Sequence, residues 1–491
     1  MALPDAGWAH PEVETFVVVG GDAAGMSAAS KARREAPDLD VVVLERGDWV
    51  SYSACGIPYY VEGEVPRLED LVARRPETFV EEQGVDLRTR HEVTAVDPGA
   101  RTVTVRDRDA GETFEQGYDA LLYATGARPT TPPVEGTDLE CVFTLRSLDE
   151  AHAIREALER DEHGGREAAG FGDATVEAGP TADFLLEREP RTAGVVGAGY
   201  VGLEMADALR SRGLEVHVFQ RSGHVLSRYD EEVAVAVEEH LREHGVHLHL
   251  GTPVTGLRGD AGGEVAAVET PDGSVDVDVA VVGTGVEPAT ELAVEAGAET
   301  GASGALVVDD YNRTTLPDVY AAGDCVEVEH LVTGERAYVP LALTANRHGR
   351  AVGTTVAGTP TRGGGVVGTA ITKVVDVEVA RTGLTDPERA SEAGFDPVSR
   401  TITTRSRASY YPGGAPITVH LMACASTGRL LGASVAGTDR AGKRIDVVAA
   451  ALHNEATVDE LERYDLAYAP PFSPTWDPVL TAAKVLNGSV D

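Results

Sequence analysis

The chain has 491 residues, more than one ordinary hydrophobic core accommodates, so about three domains are expected. Hydrophobic residues at 42% and charged residues at 25% match globular averages, which excludes a disordered or collagen-like chain despite the 54 glycines. The 80 Asp and Glu against 42 Lys and Arg leave a formal net charge of -38, a surface on which nucleic acid is not an expected partner.

No uninterrupted apolar stretch of about 18 residues occurs, and no basic region followed by an apolar run precedes Phe16, so neither a membrane span nor an export signal is expected. The expected compartment is the reducing cytoplasm. Cys55, Cys141, Cys325 and Cys424 are far apart and form no C-x-x-C pair, so neither a disulfide scaffold nor a metal site is predicted. Cys141, Cys325 and Cys424 read as inert filling.

In chain order, residues 16–20 form an apolar run of the kind a doubly buried parallel strand needs, followed by Gly20, Gly21, Asp22, Ala23, Ala24 and Gly25. A helix is predicted over 25–35 and a second strand over 41–44, ending at Glu45. An acidic residue there suits the ribose of a dinucleotide. Asp22 takes the place of the second glycine in a strict G-x-G-x-x-G pattern.

A strand over 121–124 leads through Thr125 and Gly126 to Arg128 and Pro129, a crossover out of this first unit. Residues 161–190 have no periodicity and read as a surface insertion with no catalytic role. The strand predicted over 193–196 then runs into Gly197, Ala198, Gly199, Tyr200, Val201 and Gly202, which match the fingerprint throughout. The strand over 279–282, with Gly283 and Gly285 after it, repeats the earlier crossover. Asp324 follows a short strand, and a helix is predicted over 341–356.

From about 365 to 477 the chain alternates β-branched segments, such as 368–375 and 416–422, with helices. The predicted fold is therefore α/β, with two Rossmann-like dinucleotide-binding domains (14–130 with 297–356, and 131–296) and a C-terminal α+β domain (357–480).

Taken together, the segments GGDAAG (20–25), SYSACGIPYY (51–60), ATGARP (124–129), GAGYVGLE (197–204), AAGD (321–324) and DLAYAPPFSP (465–474) resemble the pyridine nucleotide-disulfide oxidoreductases. The resemblance is to the single-cysteine branch of coenzyme A disulfide reductases, NADH oxidases and persulfide reductases, over about residues 15–480. It implies FAD on the first domain, NADPH or NADH on the second, and a C-terminal domain that completes the active site across a homodimer. The acidic, lysine-poor composition also resembles that of proteins from extreme halophiles.

The resemblance implies that Gly20, Gly21, Ala24 and Gly25 lie under the FAD pyrophosphate, with Glu45 and Arg46 at the adenosine ribose. Ala124, Thr125, Gly126 and Arg128 form the crossover beside FAD, and Asp324 meets the ribityl chain. Pro340, Leu341 and Ala342 open a helix whose dipole faces the flavin pyrimidine. Gly197, Gly199, Gly202 and Gly285 would frame the nicotinamide cofactor. Tyr200 would gate the flavin face, with Glu204 near the ring. Gln220 and Arg221 stand where an acid would accept the NAD 2′-hydroxyl, a tilt toward NADPH.

Cys55 carries the expected chemistry. Many relatives have C-x-x-x-x-C, but here Tyr60 fills the second cysteine's place, so the resemblance implies a lone thiol beside the flavin that can cycle through a mixed disulfide, a persulfide or a sulfenic acid. Its pKa is expected to be lowered by its place at the start of a helix and near the flavin. Tyr468 and one of Tyr410 and Tyr411, from the partner subunit, are the implied proton donors. Lys31, Arg33 and Arg34, with Arg74 and Arg75 further on, are candidates for coenzyme A phosphates, although basic residues also complement a helix C-terminus. Ala54 stands where many coenzyme A disulfide reductases have Asn.

The expected acceptor is therefore a small disulfide such as CoA disulfide, or a persulfide. Oxygen is the nearest alternative, and the glycine loop has no histidine, Asp22 and Ala23 standing there instead. A flavoprotein delivering electrons to a protein partner, with Cys55 structural, is an alternative of another class.

Overall fold

The computed structural model describes residues 13–158 and 190–490. The predicted 161–190 insertion lies almost wholly outside the described residues.

Two parallel five-stranded sheets share one plan. In the first, strand Thr15–Val19 sits between Asp40–Leu44 and Ala120–Tyr123, with Asp86–Arg88 and Val319–Ala321 at the edges. In the second, Thr192–Val196 sits between Glu215–Gln220 and Val279–Val282, with His247–Leu250 and Val142–Phe143 outermost. The central strands are buried, valine-rich runs, as strands covered on both faces must be. Predicted and observed strand ends in these units agree to within a residue.

The first helix, Ala23–Glu35, is alanine-rich because another helix lies against its backbone. That partner is Ala342–Val356, and a Cβ at its Gly349 or Gly353 would stand 2.2 Å from Ala24 O or 2.4 Å from Ala28 O. Helix contact at this range requires glycine.

The crossovers meet each other. Ala127–Pro129 pairs antiparallel with Val286–Pro288, a ribbon joining the two units. After it comes an antiparallel five-stranded sheet running from Ala370–Val374 to Pro397–Arg405 at its edges, backed by helices Ile445–His453 and Pro478–Asn487. This is the predicted α+β portion. No helix among the described residues is long and apolar enough to cross a membrane.

Candidate active site

The two glycine loops are held by the same constraint. Gly20 and Gly197 adopt φ of 109° and 103°, a region that side chains resist. A Cβ at Gly25 would stand 1.9 Å from Gly20 O, and one at Gly202 would stand 1.9 Å from Gly197 O. Each helix thus starts hard against its strand, with its free N–H groups turned to the loop above. Gly199 caps the second helix with open space over it, room for a pyrophosphate to approach backbone. These cradles fit a dinucleotide in both units.

The acid ending the second strand is bound into the first loop. Glu45 Oε2 accepts from Gly21 N–H at 2.8 Å and Oε1 from Gly47 N–H at 2.7 Å. Gln220 does the equivalent in the second unit, where its Oε1 accepts from Ala198 N–H at 3.2 Å and its amide donates to Ser222 at 2.6 Å. Arg46 and Arg221 are exposed beside them. Thr125 donates to Ala289 O at 2.5 Å, while Gly126 and Gly285, at φ of 68° and 125°, turn the two crossovers. Arg128 pairs with Glu287 at 2.6 Å across the ribbon and with Glu291 at the start of the next helix.

Asp22, read from sequence as a departure from pattern, has a structural task. Its Oδ1 accepts from Tyr52 N–H at 3.2 Å, and Ser51 N–H donates to Gly21 O at 2.9 Å. Ser51 takes φ of 50° to make that turn. The glycine loop and the Cys55 segment are therefore clamped directly together. Nothing local in the sequence signals this clamp, because the two segments meet only in the fold. Burial, and then the charges of Glu45 and Asp324, push the Asp22 carboxyl up to about 7, so near neutrality it is often uncharged beneath the expected phosphate. Burial likewise raises Asp324 to about 6.

Cys55 lies in the short turn Ala54–Gly56 that leads into helix Ile57–Glu62, and it is exposed, whereas Cys141, Cys325 and Cys424 are buried. The expected lowering of its pKa is not what the polypeptide provides. Crowding by the surrounding chain raises the thiol, and the charges of Glu204, Asp324 and Asp22 raise it further. One six-residue helix does not offset three carboxylates. Those same carboxylates locate the sulfur at the junction of the first loop, the Asp324 turn and the first helix of the second unit. Cys424, though enclosed, differs from the other two: burial raises its thiol, but hydrogen bonds from Ser426 and Thr427 outweigh this and bring it to about 7.

Tyr200 and Glu204 are tied to the C-terminal sheet. Arg381 donates to Tyr200 Oη at 2.9 Å, and Thr372 donates to Glu204 Oε1 at 2.5 Å. Pro340 and Leu341 precede helix Ala342–Val356, and Leu341 occupies its N-cap with no side-chain acceptor, leaving the first N–H groups directed outward. Tyr410 and Tyr468, both exposed, bring their hydroxyls to 3.3 Å. Tyr411 is half-buried beside them.

The basic trio divides. Arg33 donates to the carbonyls of Gln83, Leu39 and Pro37 and so belongs to the fold, Lys31 pairs with Glu35, and Arg34 is exposed.

Two nucleotide cradles sharing a ribbon, with a lone exposed thiol clamped to the first, define a flavin-linked pyridine nucleotide oxidoreductase. Residues 14–349 match the pyridine nucleotide-disulphide oxidoreductase family and residues 369–478 match its dimerisation domain. The chain belongs to this family and is an FAD-dependent oxidoreductase using NADH or NADPH. It is 40% identical over 475 residues to an NAD(P)H sulfur oxidoreductase (CoA-dependent) of Pyrococcus abyssi, covering 96% of this chain and 98% of that one. It is 28% identical over 459 residues to the coenzyme A disulfide reductase of Staphylococcus haemolyticus, covering 93% and 96% of the two chains. Among solved structures, the NAD-dependent persulfide reductase from A. fulgidus superimposes with a TM-score of 0.87 at 37% identity, covering 96% of this chain and 82% of that one.

The shared constraint predicts separable losses. Gly25→Ala should purify with about a tenth or less of the normal flavin, since overpacking costs about 1–3 kcal/mol. Gly202→Ala should keep its flavin and lose NAD(P)H affinity by a similar factor. Flavin absorbance per chain and anaerobic reductive titration check both, and equal flavin in the two variants would contradict the assignment of the loops.

Proposed function

We propose that this chain reduces a low-molecular-weight disulfide or persulfide carried on coenzyme A, with NAD(P)H as reductant and Cys55 as the sulfur that attacks. The observation that carries the reading is the clamp that fixes the unpaired Cys55 segment to the first glycine loop. When bound, FAD takes a hydride from the nicotinamide and supplies two electrons to sulfur. The Cys55 thiolate attacks one sulfur of R–S–S–R; the Sγ–S bond forms, the S–S bond breaks, and RS⁻ leaves. Two electrons and a proton then release the second RSH and restore the thiolate. With R–S–SH, attack on the outer sulfur leaves a Cys55 persulfide, and the same two electrons release HS⁻.

Tyr468, with Tyr410 hydrogen-bonded to it, is the proton donor for the leaving thiolate, supplied by the second subunit of a homodimer. Tyr410, Tyr468, Phe472 and Trp476 are all exposed on the C-terminal portion, which supports that reading. Lys31 and Arg34 receive the coenzyme A phosphates, and a thiol enzyme of this kind suits a reducing cytoplasm.

The test is anaerobic NADPH and NADH oxidation by the purified flavoprotein with CoA disulfide, CoA persulfide or no acceptor, beside an aerobic control. Turnover with air and none with either sulfur acceptor would replace this reading with oxidase activity. Gln220 and Arg221 favour NADPH. Changing them together, Gln220→Glu with Arg221→Ala, should move the NADPH to NADH ratio of kcat/KM toward NADH by about tenfold, measured as initial rates.

A further inference from the structure

Away from Cys55, parallel pairing of Glu215–Gln220 with His247–Leu250 gathers ligand-type side chains on one sheet face. The register sets His217 opposite His247 and Phe219 opposite His249. Alternation along the strand puts Glu215 on the same face as His217. His217 Nε2 is 3.4 Å from Glu215 Oε1, and His247 Nε2 is 3.2 Å from that same oxygen. With metal–ligand bonds of about 2.0–2.2 Å, two ligands of a tetrahedral ion stand about 3.3–3.6 Å apart. The observed separations are close to those of coordination edges.

The second nitrogen of His217 selects between two tautomers, one with Nε2–H donating to Glu215 and one with Nε2 bare. His217 Nδ1 lies 3.0 Å from His249 Nε2, a bond in which one ring nitrogen must donate and the other accept. When Nδ1–H donates, the bare Nε2 of His217 faces a carboxylate oxygen, lone pair against lone pair. A cation between them removes the conflict. His249 then acts as the outer acceptor that a metal-bound imidazole ordinarily has, and it is held by stacking on Phe219 at 4.5 Å. Glu215 and His247 are more than half exposed, so an ion has access from solvent, and His247, stacked on His217 at 4.6 Å, needs only a turn of its ring to share it.

We propose that Glu215, His217 and His247 bind a divalent first-row transition ion of the zinc type, with His249 holding His217 in the ligating tautomer. Two imidazoles and one carboxylate suit such an ion better than calcium or magnesium. Glu215 begins the strand that Gln220 ends, roughly 17 Å away at about 3.3 Å per residue, so the ion serves as a clip between the edge strand and its neighbour, apart from hydride transfer.

Chelator-treated, flavin-loaded full-length protein is titrated with Zn²⁺, and retained zinc is counted by elemental mass spectrometry after gel filtration. Wild type should retain about one zinc per chain more than Glu215→Gln or His247→Ala, and only wild type should gain about 3 °C or more in melting midpoint on adding zinc. Both substitutions lie at exposed side chains, and flavin content confirms folding. The histidines and acid at His240, His244 and Asp376, which also come together, and the Cys55 thiol are intact in every sample, so they cancel in the difference. Equal zinc in wild type and both variants overturns the proposal, as does wild type that retains none.

Discussion

Cys55→Ser should lose reduction of CoA disulfide and CoA persulfide by about a thousandfold or more, because a serine hydroxyl neither attacks sulfur nor carries a sulfur adduct. Anaerobic bleaching of the flavin by NADPH should persist, since Gly197, Gly199 and Gly202 are untouched by the change. The split between preserved hydride transfer and absent acceptor turnover is the expected signature. Unchanged acceptor turnover would favour electron delivery to a protein partner. The wild-type thiol supplies a second readout. Crowding, and then the charges of Glu204, Asp324 and Asp22, push it above the ordinary thiol range in the bare polypeptide. On the proposed reading, thiolate character comes from bound flavin or from the proposed partner subunit. Alkylation of Cys55 in flavin-free protein should rise with pH above the ordinary thiol range, and flavin reconstitution should move that rise to lower pH. The same profile with and without flavin would remove the flavin from the activation of Cys55.

The glycine loops were legible because their constraint is local. Gly25 and Gly202 lie five residues after the carbonyls that exclude a side chain, and each follows an apolar run of the kind a buried parallel strand needs. Cys55 was legible as an unpaired thiol, but its electrostatics were not, since Glu204 and Asp324 approach it from distant parts of the chain. The Asp22 to Tyr52 clamp and the ties from Arg381 to Tyr200 and Thr372 to Glu204 depend on tertiary contact, which periodicity does not encode. Arg33 illustrates the same limit. A basic residue in a helix's last turn reads equally as a phosphate ligand or as a complement to the helix dipole, and only the fold shows its guanidinium reaching back to backbone carbonyls. The histidine cluster was hidden for the same reason as the clamp: parallel register, which pairs His217 with His247, is set by burial across the whole sheet.

Raising KCl from about 0.1 M to about 3 M should increase the melting midpoint by about 10 °C or more, the Debye length falling from about 10 Å to about 3 Å or less. The cause is the charge of -38, which no arrangement of 42 Lys and Arg can neutralise among 80 acids. Pairing shows the shortage. Arg90 serves both Asp48 and Asp109, and Arg128 serves both Glu287 and Glu291. Like charges about 10 Å apart repel by roughly 0.4 kcal/mol in water, so tens of uncompensated neighbours are comparable to the whole stability of a domain. Salt removes most of that repulsion, whereas an uncharged osmolyte acts only through exclusion from the surface. Differential scanning calorimetry of the flavin-loaded protein in KCl and in sucrose separates the two. A midpoint that does not move with KCl, or moves as far with sucrose, would show that repulsion among the carboxylates does not limit this fold.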